Sequence, residues 1–162
     1  NKSAEFMKPI DKSEFAANLM IKALKEGAGS SQEVLNELMD RMNIHGISVF
    51  QGEDMHCEYS MGHYAKVVEQ ATYALSEKYQ KTYDEHGIRV INNMASLSID
   101  FPEVYECFKE HNICSSLEIF IRRKDDVPVL ISFDIFGEHR RKWSAEDVNT
   151  IYMVVKAITN AE

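Results

Sequence analysis

Six histidines and three cysteines are the side chains of this 162-residue chain with the chemistry to bind a metal or carry a nucleophile. His56 and Cys57 are adjacent, and His111 lies three residues before Cys114. A structural zinc site takes four close ligands, usually in two short-spaced pairs. Strand neighbours point to opposite faces, so His56 and Cys57 cannot both reach one ion, and no metal centre is expected. Catalytic signatures are also absent: the chain has no Gly-x-Ser-x-Gly elbow, no Gly-rich phosphate loop and no His-Glu-x-x-His, and only seven glycines from which to build such loops. A Cys57–His pair assembled across the fold stays open, because catalytic partners need not be close in sequence; the plainer alternative is an unreactive thiol. Arg140-Arg141-Lys142 could meet an anion or a partner beside the start of a helix, where free amides favour negative charge; the plainer alternative is a solvated loop.

Whatever positions these residues is an ordinary globular chain. The length suits one domain, and 44% hydrophobic residues are enough for a core without disulfides. A formal charge of −8 repels phosphate backbones and argues against nucleic acid as a partner. Cys57, Cys107 and Cys114 are odd in number and form no Cys-x-x-Cys, which points to a reducing, cytoplasmic setting. No apolar run approaches the roughly 20 residues that span a bilayer, so membrane insertion is not expected. The chain opens on Asn1, and no Gly or Pro follows Ile158 to stop its last helix. We therefore expect a piece of a longer protein, with residues 1–10 an unstructured or extraneous leader and residues 11–162 a single domain.

Periodicity supplies the elements. Phe15, Leu19 and Ala23, with Met20 and Leu24, make an amphipathic helix ending at Gly27; a capping box at Ser30-Ser31-Gln32-Glu33 opens a second, carrying Val34, Leu35, Leu38, Met39 and Met42. Residues 46–51 and 55–60 form a hairpin, residues 64–83 a helix with a weak point at Ser76, residues 88–91 a strand, and Val104 to Phe108 a short helix. In the next strand Leu117, Ile119 and Ile121 take a buried face, leaving Glu118, Phe120 and Arg122 on the other. Lys124-Asp125-Asp126 turns the chain into residues 129–136, and Ser144 caps a final helix striped by Val148, Ile151, Tyr152, Val155 and Ile158. The expected class is α+β, a central antiparallel sheet of five or six strands flanked by helices in the order α-α-β-β-α-β-α-β-β-α.

This order, from about Phe15 to Ile158, resembles a GAF domain, a GAF/PAS-like sensor fold. Three stretches carry the likeness. Gly46-Ile47-Ser48-Val49-Phe50 resembles the family's first central strand after its opening helix, and His111 to Ile121 its short helix end and Ile-x-Ser-x-Leu strand. Gly137 to Asp147 resembles its closing basic, aromatic, Ser and acidic pattern. The resemblance implies a regulatory module that binds a small molecule on one sheet face and relays the signal through dimerising end helices. Its effector would be covalently linked, and a diguanylate cyclase is the expected one. Any catalysis would then lie outside this chain.

The family's geometry would place the pocket at Tyr59, Met61, His63 and Tyr64, at Asn92, Asn93, Ser98, Asp100 and Phe101, and at Ser115 and Leu117 on the strand. Dimer and signalling contacts would fall to Phe15, Leu19, Ile151, Val155 and Ile158. Trp143 would pack over the last helix or the sheet edge. The ligand itself is unknown. The chain lacks the Asn-Lys-x-Phe-Asp-Glu run of cyclic-nucleotide binders, and Cys107 is followed by Phe108 where bilin-binding relatives commonly have His. Bilin, haem and metal are therefore not expected. Two other readings remain open: a ligand-free dimerisation domain whose pocket is filled by its own side chains, and a Cys-dependent enzyme of the free methionine sulfoxide reductase type.

Overall fold

The structure is a computed structural model that describes residues 12–62, 68–138 and 141–161. His63, Tyr64, His139 and Arg140 lie outside the described residues, as does the leader 1–10. The chain divides into two compact units, Asn1–Ile44 with Ser144–Glu162, and His45–Trp143.

The first unit is helical. Helix α1 (Lys12–Glu26) buries Ala16, Leu19 and Ala23, and α2 (Ser31–Arg41) buries Val34, Leu35, Leu38 and Met39, each set spaced by threes and fours. Gly27, at a positive φ of 73°, ends α1 with its N–H on the Ala23 carbonyl. The expected capping box at Ser30 does not form. A 3-10 turn over Ala28–Ser30 runs directly into α2, so the Ser30 hydroxyl turns back to donate to the Gly27 carbonyl, 2.8 Å away. The last helix, α5 (Ala145–Ala161), starts as expected: the Ser144 hydroxyl accepts the Asp147 N–H at 3.0 Å. It packs along α1 and buries Ile151, Val154, Val155 and Ile158.

The second unit is an antiparallel sheet of five strands in the order β2-β1-β5-β4-β3: β1 Gly46–Gln51, β2 His56–Gly62, β3 Ile88–Ile91, β4 Ile113–Arg122 and β5 Pro128–Phe136. The Lys124 to Asp126 turn joins β4 to β5, with Arg123 N–H on the Val127 carbonyl at 3.0 Å and Asp126 at a positive φ of 67°. One helical expectation changes here. The helix read over 64–83 is, where described, an extended stretch at 68–70 beside β2, a 3-10 turn at Thr72–Leu75 and a single turn, α3, at Glu77–Gln80. The Cys57 N–H donates to the Glu69 carbonyl at 2.7 Å, which commits that backbone to strand pairing, and Ser76 sits extended to cap Tyr79. Before α4 (Pro102–Glu110), a 3-10 turn at Met94–Leu97 replaces part of the expected loop.

The single buried face expected for β4 is also corrected. Both β4 and β5 lie inside the sheet order and are buried on both faces, Glu118 completely, at 0% exposure. Their pairing sorts the sheet into two chemically different surfaces. On one, the rows Met61–Ile47–Phe133–Leu117–Val90 and Tyr59–Val49–Ile131–Ile119–Ile88 are almost wholly apolar. On the other, a polar row crosses all five strands as Ser60, Ser48, Ser132, Glu118 and Arg89, with Asp134 and Ser116 in the neighbouring row.

Candidate functional site

Glu118 sits at the centre of that polar surface. Three phenols donate to its carboxylate: Tyr83 at 2.6 Å, Tyr79 at 2.9 Å and Tyr73 at 3.3 Å. Removing a carboxylate from water is expensive unless such donors replace the lost hydration. Burial pushes the Glu118 carboxyl up, against the pull of Tyr83, Tyr79, Arg89 and Tyr73. The phenols are pushed well above their ordinary range by burial first and by Glu118 second, so they stay protonated donors. Around them Tyr79 meets Tyr73 and Phe101 edge-on at centroid distances of 4.9 and 5.0 Å, and the Arg89 guanidinium lies 5.0 Å over the Tyr79 ring. Beside this cluster Asp134 accepts from Ser116 at 2.7 Å and Ser132 at 2.9 Å, and burial pushes its carboxyl up to about 7.

The open space lies elsewhere in this unit, at the sheet end where β3 finishes, β4 begins and β5 finishes. Register brings those ends together: Ile91 pairs with Ser116, and Ile113 with Phe136. The result is a cavity of about 710 Å³ lined by Asn92, Asn93, Met94, Cys114, Gly137, Glu138, Arg141 and Lys142. Asn92 Oδ1 accepts the Trp143 N–H at 2.9 Å, which ties the loop after β5 to the end of β3. Asn93 Oδ1 accepts the Ala95 N–H at 3.0 Å and starts the 3-10 turn. The Arg141 guanidinium lies 4.6 Å over the Trp143 ring, which is itself buried.

Of the residues expected to line a pocket, Asn92 and Asn93 reach this cavity. Tyr59, Met61, Ser115 and Leu117 fall on the apolar sheet surface, because each pairs in register with residues of that face. Phe101 belongs to the opposite surface, against Tyr79, while Ser98 and Asp100 are exposed. Alternation thus gathers the four strand residues on one surface, while Asn92, Asn93, Ser98, Asp100 and Phe101, which lie on the connection between β3 and α4, are carried elsewhere by the path of that connection. Arg141, Lys142 and Cys114 join the cavity without having been expected there. Glu118 was placed on an outer face from periodicity alone. Its signal in the sequence was a lone acid between apolar neighbours in a strand, together with the recurrence Tyr73, Tyr79, Tyr83.

The thiols and histidines are dispersed. Cys57 lies on β2, where burial raises its thiol, the direction opposite to an activated nucleophile. Cys107 lies 3.9 Å from His111 Nδ1, and the Cys114 thiol donates to the Ile135 carbonyl at 3.2 Å. His56 bridges Asp54 at 2.8 Å and Glu58 at 2.7 Å; hydrogen bonding to Asp54 and then Glu58 raises its pKa. Among the described residues no group of three or more His, Cys, Asp or Glu is placed to hold a metal, and no helix is long and apolar enough to cross a membrane.

No protein-family profile matches the chain, and no curated protein resembles it at a significant level. Solved structures do. The phycocyanobilin-bound GAF domain from a cyanobacterial phytochrome aligns with a TM-score of 0.72 over 95% of this chain and 94% of its own, at 10% identity. Bacteriophytochrome RpBphP3 from the photosynthetic bacterium R. palustris gives 0.71 over 95% of this chain and 37% of its own, at 12% identity. SdiA in complex with octanoyl-rac-glycerol gives 0.64 over 96% of this chain and 67% of its own, at 12% identity. Identities this low speak for architecture alone, and the architecture is that of a GAF domain.

Proposed function

We propose that this chain is a sensory module that binds a small molecule at the β3–β4–β5 sheet end and passes its bound state to the rest of a longer signalling protein. The observation that carries the reading is the cavity of about 710 Å³, which combines amides, cations, a thiol and a thioether. That volume lies within the roughly 300–1,000 Å³ of small-molecule sites. The similar structures support it by holding small molecules of unlike chemistry, a bilin in one and an acylglycerol in another. A covalent bilin is not carried over, since Cys107 is followed by the buried Phe108. Homodimerisation and a diguanylate cyclase effector complete the proposal, the latter resting only on how commonly this fold serves such enzymes. Catalysis by this chain is not part of it.

Thermal melts against nucleotides, amino acids and metabolites test the proposal. A true ligand at 100 times its Kd adds about 2.7 kcal/mol and gives a reproducible rise in Tm. A library without one such shift favours the second reading, a ligand-free interaction domain. That reading has its own support: the polar sheet surface is already filled by Tyr73, Tyr79, Tyr83 and Phe101.

A further inference from the structure

Resting on the small-molecule reading, we infer that the sheet-end cavity selects an anion: a ligand with a compact carboxylate or phosphate headgroup and an apolar remainder. The argument begins with the two carboxamides. A backbone N–H can donate only to the oxygen of an Asn side chain, so the contacts from Trp143 and Ala95 settle which way both amides face. Each oxygen is engaged by the protein's own backbone, and each NH2 group is left as the polar end that Asn92 and Asn93 offer to a ligand. Both are donors. To these the lining adds the Arg141 guanidinium and the Lys142 ammonium, which are donors without acceptor capacity. Glu138, exposed, is the one carboxylate among the described lining residues, beside the two cations. The Cys114 thiol, donating to the Ile135 carbonyl, leaves a soft apolar surface beside Met94.

Among its described side chains this wall has Glu138 alone to pair with the charge of a cationic ligand. It matches an oxyanion, whose several lone pairs accept from amide, guanidinium and ammonium groups in shorter and stronger charge-assisted bonds. The aliphatic or aromatic part of the ligand then lies over Met94 and Cys114. The two carboxamides do not depend on the ligand for their own positions, so the site is organised before binding.

The test uses the whole chain and three probes: benzoate, inorganic phosphate, and benzamide, which keeps the shape of benzoate without its charge. Benzoate, phosphate or both are expected to give saturable shifts of the Asn92 and Asn93 side-chain NH2 resonances and to raise Tm, with benzamide inert. Which anion acts distinguishes a carboxylate from a phosphate ligand. Asn92→Asp and Asn93→Asp keep the oxygen that holds Trp143 or Ala95 but replace the donor by an acceptor. Each is expected to weaken anion binding at least tenfold while leaving the unliganded melt unchanged, and Lys142→Ala to weaken it less. Benzamide shifting these resonances while both anions fail would overturn the anion assignment and leave the small-molecule reading standing. Failure of all three probes, or undiminished anion binding by both Asp variants, overturns the assignment of this site altogether.

Discussion

Asp134 shows how a single residue can set the pH response of the sheet. Its carboxyl moves from an ordinary 3.8 to about 7, with burial the main cause, the Ser116 and Ser132 hydroxyls opposing it and the Glu118 charge adding to it. The folded state therefore holds a proton that the unfolded chain releases near pH 4. Stability from this group is complete below that point and is lost as pH rises towards 7. Asp134→Asn, which removes the titration and keeps the size, is expected to flatten urea-derived stability between pH 4.5 and 7 relative to the wild type; an unchanged slope there sinks the assignment. Glu118 acts in the same direction, so part of the slope survives in the variant. Neither carboxylate was legible as buried from spacing. Alternation tells which residues share a face, but the number of faces covered depends on what packs above the sheet.

At the scale of elements, the connection from α3 to β3 rests on one glycine. Gly87 adopts φ +79°, and an added Cβ would run into the backbone carbonyl oxygen of Phe120. Its own carbonyl accepts the Phe120 N–H at 2.7 Å, so the close approach belongs to the pairing of this turn with β4. Gly87→Ala is expected to lower stability by about 2 kcal/mol or more, combining left-handed strain with a backbone clash. Gly29→Ala, where an added Cβ meets nothing within 4 Å, serves as the control and is expected to stay within about 1 kcal/mol of the wild type. Chemical denaturation of both reads the difference, and equal effects would refute it. The closeness of Gly87 to β4 depends on a partner 33 positions away, which no local pattern contains.

For the whole molecule, the proposed dimer needs residues that the protomer leaves uncovered, and of the five first expected only Phe15 is not fully buried. Leu19, Ile151, Val155 and Ile158 are buried at 0–4% exposure within one chain, where α1 and α5 pack together. Their helical stripe is satisfied inside the protomer. Ile21 and Leu24 on α1 and Met153 on α5 remain exposed at 49%, 59% and 37%. If the protein dimerises through these helices, Leu24→Glu is expected to fold normally and sediment as a monomer at concentrations where the wild type is dimeric. Leu19→Glu is expected not to fold, because it buries an unpaired charge. A Leu24→Glu protein as dimeric as the wild type would rule out this face.

By itself the sequence determined the order of the elements and, outside the stretch 64–83, their class, together with the turns at Gly27 and Lys124 to Asp126, the Ser144 cap and the likeness to a GAF domain. Each of these is set by side-chain periodicity or by contacts within a few residues. Tertiary structure alone decided that Glu118 meets three tyrosines 35 to 45 positions earlier in the chain. It also decided that Tyr59 and Leu117 face away from Phe101, and that Asn92 and Asn93 share a cavity with Arg141 and Lys142. Those facts follow from strand register and from the meeting of distant strand ends. Register is a property of pairs of segments, so the composition of either segment alone does not encode it.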